Sequence, residues 1–314
     1  MDRPFPVFDG FRFSSAIPFE NGVTRRDPSP VILADGRYHV WYSRTTRGAS
    51  GYTASIWYAT SADGHAWEER GEALPRGPEG AFDEHAVFTP TILVAGGRFY
   101  LFYTAVPSPF DGDTKTAIGV ASSDSPRGPW RRSEGNPILL PSDDPDEFDS
   151  MRVDDTCLIV RGGKYWMYYK GRQMNRTPGE TKMGLAVSAS PTGPYVKHAG
   201  NPVLDSGHEV CVWPHGKGVG CMVSNVGPQG NTLQYSDDGV RFRRIADAVP
   251  PAAPGPFRED GFEDGFADEA GPGVTWGISM EHHPNWPYLV RFECDLRAAA
   301  PAGPAGPGDA DRCA

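Results

Sequence analysis

One pattern of short aromatic and β-branched runs, broken by tight-turn pairs, recurs four times along the chain in a constant order. A repeat of this size constrains the fold more than any other feature, because one small unit that cannot bury its own face must stack on its copies. The first copy runs from Asp27-Pro28-Ser29-Pro30-Val31-Ile32-Leu33 through Asp35-Gly36 to Val40-Trp41-Tyr42, then Ile56-Trp57-Tyr58-Ala59 and Asp63-Gly64. The second begins at Thr89-Pro90, turns at Gly96-Gly97, and continues through Phe99–Tyr103 to Ile118–Ser123. The third begins at Asp155, turns at Gly162-Gly163, and runs through Tyr165–Tyr169 to Met183–Ser188. A looser fourth copy spans Glu209–Trp213, Gly220–Val223 and Thr232–Ser236. Asp-Gly and Gly-Gly pairs supply the positive φ that tight hairpins need, so each copy predicts a small antiparallel meander. Repeated meanders read as blades packed radially around a channel, and the pattern predicts an all-β, single-domain, five-bladed β-propeller. Val274–Ile278 and Tyr288–Phe292 supply the fifth blade, closed by an N-terminal strand around Val7 to Phe13. A β-sandwich offers no reason for one meander to recur in phase.

Composition agrees and narrows the function. With 38 Gly and 31 Pro among 314 residues, many turns and few helices are expected. A formal charge of −10 argues against a nucleic-acid partner, which would need clustered Lys and Arg. No apolar run reaches the length of a membrane span, so no membrane partner is expected. Met1 to Gly22 lacks the basic start and apolar run of a signal peptide, and five widely spaced cysteines suit buried free thiols; both predict a cytoplasmic protein. Residues 1–296 are assigned to the propeller, and 297–314, rich in Ala, Pro and Gly, to a disordered tail. Nothing in the sequence sets the oligomeric state.

Aligning the copies on their first strands places Asp27, Thr89, Asp155 and Glu209 in one phase. First strands line a propeller's channel, so three carboxylates are expected to share a pocket. Each alone reads as a turn or loop residue. Together they suit glycoside hydrolysis, which needs a base, an acid and a neighbour that sets their protonation. Asp27, Asp155, Glu209 and the adjacent His208 are therefore the catalytic candidates. Arg26, Thr89, Thr104, Asp154 and His282 are candidates for holding substrate, and Trp67 and Trp276 for stacking on a sugar ring, although buried blade aromatics are commoner. No HExxH spacing is present, so no metal site is expected. The chemistry requires no cofactor, and a cation in the channel is not predicted.

Several segments together resemble glycoside hydrolase family 117: Arg26-Asp27-Pro28-Ser29-Pro30, Ile56–Ser61, Val87-Phe88-Thr89-Pro90, Phe148-Asp149-Ser150, Ser206–Pro214 and Trp286–Phe292. Families 43, 32 and 68 share the five-bladed fold and an acidic trio but resemble the chain less. The resemblance implies an exo-acting, inverting enzyme that removes a terminal (anhydro)galactose-like sugar from an oligosaccharide. Asp27 matches the family's general base, Asp155 its second acidic residue, and His208-Glu209 its adjacent histidine and glutamate, of which the histidine has been proposed as the acid. The chain departs from the pattern at Asp154, where the family has His, and at Thr104, where it tends to have Gln. Alternative readings are a furanosidase acting on β-D-galactofuranosides or arabinofuranosides, and a carbohydrate-binding propeller without turnover. Residue types alone leave the acid open between His208 and Glu209.

Overall fold

The computed structural model describes residues 5–111, 113–209, 211–264 and 271–297. Its strands form five sheets, antiparallel except for one short edge pairing, which are the blades of a five-bladed β-propeller. Blade 2 shows the plan: the inner strand Ala86–Ala95 pairs with Arg98–Val106, that with Ala117–Ser123, and Arg131–Arg132 forms the outer edge. Blade 3 repeats it with Arg152–Arg161, Lys164–Arg172, Lys182–Ser188 and Val196–Lys197. Blade 1 places Arg37–Thr45, Ser55–Ser61 and Trp67–Leu74 outside an inner strand split into Thr24–Arg26 and Ile32–Ala34. Blade 4 runs through Cys211–Gly216, Gly218–Val223, Thr232–Ser236 and Arg243–Ala248.

Blade 5 differs from the expectation. Its inner strand is Ala252–Pro256, a Pro-containing run that sequence reasoning passed over, followed outward by Trp276–Glu281 and Tyr288–Glu293. The strand that completes it is Arg12–Ile17, with Phe13 opposite Phe292. Val7–Phe8 belongs instead to the outer edge of blade 4, parallel to Asp247–Ala248. The chain therefore staples two neighbouring blades before its first repeat begins. Ring closure by segments from both ends of the sequence, with no sheet left to close on itself alone, is how a propeller limits exposed edges.

Blades meet through buried aromatic and aliphatic side chains; Trp41, Tyr42, Phe102, Tyr103, Tyr168, Tyr169 and Phe292 are almost fully buried. The second strands of blades 1 to 3 carry an equivalent tyrosine whose hydroxyl donates to a carboxylate: Tyr42 to Glu69 at 2.6 Å, Tyr103 to Asp83 at 3.0 Å and Tyr169 to Asp149 at 2.8 Å. Each carboxylate also meets a cation, Arg25, Arg132 or Lys197. A buried phenol needs an acceptor, and a buried carboxylate needs a donor and a counter-charge, so each set satisfies itself. Cys157, Cys211, Cys221 and Cys294 are free thiols, the first three buried. The sole helix among the described residues is one 3₁₀ turn, Pro178–Glu180, and no helix is long and apolar enough to cross a membrane. The tail expected over 297–314 lies, beyond Arg297, outside the described residues.

Candidate active site

The phase that gathers the acidic residues is also a phase of unusual backbone. Asp27, Thr89, Asp155, Glu209 and Ala253, one per blade, all have positive φ, between 43 and 55°. Strand pairing slips there: the ladders skip between Phe88 and Thr91, Asp154 and Cys157, and Ala252 and Gly255. A left-handed residue in a strand makes a bulge that takes its side chain out of the ladder. Pro28, Pro90 and Pro254 follow three of the five, and proline cannot return an N–H to the ladder, which keeps the bulge open. All five bulge residues line one small axial cavity. Such conformations cost roughly 1–3 kcal/mol each and persist where the surrounding structure imposes them.

A second regularity supports the first. The residue after the blade tyrosine reaches the bulge of its own blade: Ser43 donates to Asp27 at 3.3 Å, Thr104 and Thr89 share a hydrogen bond of 2.5 Å, and Lys170 donates to Asp155 at 2.5 Å. In blade 4 the Ser224 hydroxyl donates to the carbonyl of His208. The blade therefore presents a pair at the axis, a bulge residue and its partner from the next strand, and the chain varies the chemistry of that pair from blade to blade.

Asp27 is buried and bound through one oxygen, Oδ2, which accepts from Arg26 Nε at 2.8 Å and from Ser43. Arg26 also donates to the carbonyl of Ala49 at 3.0 Å, which fixes it over the cavity rim. Asp155 lies against the Lys170 ammonium, which is also 3.5 Å from Asp154. Burial alone would raise the Asp155 pKa, but Lys170, His208 and Arg26 outweigh it and hold the carboxylate below its ordinary range. Burial likewise opposes the Lys170 charge, and the two aspartates more than restore it.

Glu209 accepts from the backbone N–H of Ala253 at 3.2 Å. Burial, then the charges of Asp27 and Asp155, push its carboxyl up from 4.5 to about 7. His208 moves the other way: burial and the nearby Lys170 lower it from 6.5 to about 4, so the imidazole is neutral near pH 7. Its Nε2 lies 3.9 Å from Glu209, and its buried Nδ1 has no partner among the described residues. The arrangement thus offers one aspartate held ionised by Lys170, one carboxyl poised to hold a proton, and a neutral histidine, with Asp27 beside them on the same cavity.

Not every candidate gathers here. Arg26, Thr104 and Asp154 surround the cavity's lining, with Asp154 Oδ1 buried and unpartnered among the described residues. Trp67 starts the outermost strand of blade 1 and donates to the Gly64 carbonyl; it does not line the cavity. Trp276 is packed between Phe257, stacked at 5.0 Å, and Arg291, 3.9 Å over its ring, and meets Tyr38 of blade 1 edge-on at 5.2 Å, so it joins blades instead of facing a sugar. Both were expected at the pocket; an alternating strand carries its large aromatics into the interfaces between blades. His282 is exposed and lines a separate cavity with Phe8 and Phe11 where blades 4 and 5 meet. Two residues were overlooked. Lys170 could have been found as the residue after Tyr169, in phase with Ser43 and Thr104, and Ala253 by the bulge-proline pair it shares with Asp27 and Thr89. No group of His, Cys, Asp and Glu able to hold a metal ion occurs among the described residues.

The fold and its relatives define a class, the five-bladed propeller glycoside hydrolases. A model of glycosyl hydrolases family 43 matches residues 19–156. Fructan 1-exohydrolase IIa from Cichorium intybus has the same fold, with 14% identity over 89% of this chain and 57% of that chain and a TM-score of 0.61. So does sucrose-6-phosphate hydrolase from Lactobacillus gasseri, at 15% identity over 88% and 60% of the two chains and a TM-score of 0.64. A family 117 glycoside hydrolase from the marine bacterium Zobellia galactanivorans is far nearer, with 33% identity over 93% of this chain and 92% of that chain and a TM-score of 0.82. The chain belongs to glycoside hydrolase family 117, and it is a glycosidase. No curated protein matches it by sequence.

Proposed function

We propose that the chain is an exo-acting, inverting glycoside hydrolase in which Asp27 is the general base and Glu209 the general acid. The observation that carries this reading is the opposed protonation of one cavity: Glu209 is raised to about 7 while Asp155, a neighbour on the same cavity, is held ionised by Lys170. Groups whose environments drive them apart in this way divide into acid and base. Asp27 accepts through Oδ2 alone among the described residues, which leaves Oδ1 to take a proton from water. In inversion that water attacks the anomeric carbon from one face while Glu209 protonates the departing oxygen on the other, a geometry that needs carboxyls about 6.5–9.5 Å apart. A neutral His208 beside Glu209 suits a hydrogen-bonding role toward the leaving sugar more than that of acid. Arg26 and Lys170 offset the mutual repulsion of the carboxylates gathered in the cavity. The small size of the axial cavity supports removal of one terminal unit.

Family membership supports a terminal sugar of the anhydrogalactose type, released from an oligosaccharide. A furanoside is the second reading, favoured by Thr104 closed onto Thr89 and by the unpartnered buried oxygen of Asp154, which change the polar partners a sugar hydroxyl would meet. Incubating the purified protein with neoagarobiose and with nitrophenyl pyranosides and furanosides, and following the first-formed anomer by NMR, tests both. Inverted product from neoagarobiose is expected. A retained anomer would overturn the mechanism, furanoside cleavage alone would transfer the assignment to the second reading, and binding without turnover would remove the enzyme altogether.

A further inference from the structure

Blade 1 carries a second concavity at its other end. Arg37 opens the strand Arg37–Thr45 and Ser43 lies near its close, about 20 Å away at about 3.3 Å per residue. Around Arg37 a cavity of about 280 Å³ is lined by Tyr58, Thr60 and Arg70 of the same blade and by Arg127 from blade 2. Three of its five lining residues are arginines, in a chain whose net charge is −10.

Their charge is poorly matched. Glu68, 62% exposed, pairs with Arg70 and lies 3.9 Å from Arg37. Arg70 Nε donates to Thr60 at 2.8 Å, which orients its guanidinium. Arg37 Nε is buried and has no acceptor among the described residues, and the Arg127 side chain has no ion pair or hydrogen bond there. His39 senses the excess: burial and then the charges of Arg127 and Arg37 bring it to about 4 despite nearby Asp35. A buried donor without an acceptor is costly, and guanidinium forks match the oxygens of a tetrahedral anion in geometry and charge.

We infer that this inter-blade cavity binds a tetrahedral oxyanion, sulfate or phosphate, either free or as an ester carried on a sugar. Arg37, Arg70 and Arg127 supply the charge, and the Tyr58 and Thr60 hydroxyls complete the donor set. The site stands apart from the axial cavity, so its occupancy leaves the hydrolytic groups untouched.

Thermal unfolding of the full chain in sodium phosphate or sodium sulfate, against sodium chloride at matched ionic strength, tests this. The expected result is a saturable rise of about 2 °C at an anion concentration about ten times Kd. Arg127→Gln, an exposed position that keeps the fold, should weaken the response at least tenfold, Arg127→Lys less, and Arg37→Gln similarly to Arg127→Gln. Glycoside turnover should be equal in wild type and Arg127→Gln. Galactose 6-sulfate and galactose 6-phosphate, compared with galactose, separate the sources: tighter binding of an ester than of its inorganic ion assigns a sugar-borne group, and equal binding a free anion. An unchanged response in Arg127→Gln, or the same response to chloride, would overturn the site.

Discussion

Near neutral pH Glu209 sits close to half-protonation, because burial and two aspartates resist its ionisation. Its protonated form is lost as pH rises through about 7, so turnover of glycosides with poor leaving groups should fall on that limb. Glu209→Gln should abolish the limb and cut kcat on such substrates about 10²–10⁴-fold, while sparing activated aryl glycosides. The same carboxyl is a stability liability: a group raised from 4.5 to about 7 in the folded state stabilises most at low pH and costs up to about 3 kcal/mol above pH 7. Glu209→Gln should therefore unfold at a higher temperature than wild type at pH 8, and a lower Tm there would show that the charge repulsion is not real. His208 has the opposite sign. Lowered to about 4, it contributes stability above its ordinary value of 6.5 that is lost as pH falls toward 4, and His208→Gln should flatten that part of a Tm-against-pH curve. Lys170→Met removes the main counter-charge of Asp155 and should move the acidic limb of the kcat profile to higher pH; an unmoved limb would leave Lys170 a structural residue only.

Within a blade, the bulge and its cross-strand partner act as one device. Ala253 fills the fifth bulge at φ 43° and points its N–H at Glu209. A β-branched side chain resists that conformation. Ala253→Val should cost about 1–3 kcal/mol in urea unfolding and also lower kcat, whereas Ala253→Gly should preserve both. Unchanged stability in Ala253→Val would mean that the bulge is relaxed. This is also the scale at which the sequence was most and least readable. Blades 1 to 3 were legible because Tyr42, Tyr103 and Tyr169 hold one position among alternating runs and Gly-rich turns, and the looser blade 4 because its short runs follow in the same order. The gathering of Asp27, Thr89, Asp155 and Glu209 on one cavity was legible for the same reason. Only the inner strand of blade 5 was obscured, because Ala252–Pro256 has neither β-branched residues nor alternation, and forms a strand through its neighbours. Protonation was out of reach, since it depends on Lys170 and Ala253 arriving from other strands. Trp67 and Trp276 misled because an aromatic in a propeller serves an interface as readily as a ligand.

Across the whole molecule, the five blades are proposed to unfold as one unit, because the core is shared between neighbouring blades and Arg12–Ile17 binds blade 5 to a strand from the far side of the sequence. Calorimetry should show a single transition, and two resolved transitions would refute the unit. Replacing Phe13 and Ser15 together with proline would remove ladder donors from that strand and should destabilise the protein by about 3–6 kcal/mol.

That pairing of Phe13 with Phe292 is also a constraint on time. Blades 1 to 3 are built from contacts between neighbours along the chain, as is blade 4 apart from its short Val7–Phe8 edge, and each can form once its own residues are present. The last sheet joins residues separated by nearly the whole sequence, a search whose entropy is spent before any contact rewards it. On the ribosome, the segment that becomes its outermost strand is made before the other strands of that sheet and waits for them through the synthesis of four blades. The ring is therefore expected to form as an open arc that closes in a late, slow event, and the axial cavity, which needs a residue from every blade, comes into existence only at that closure.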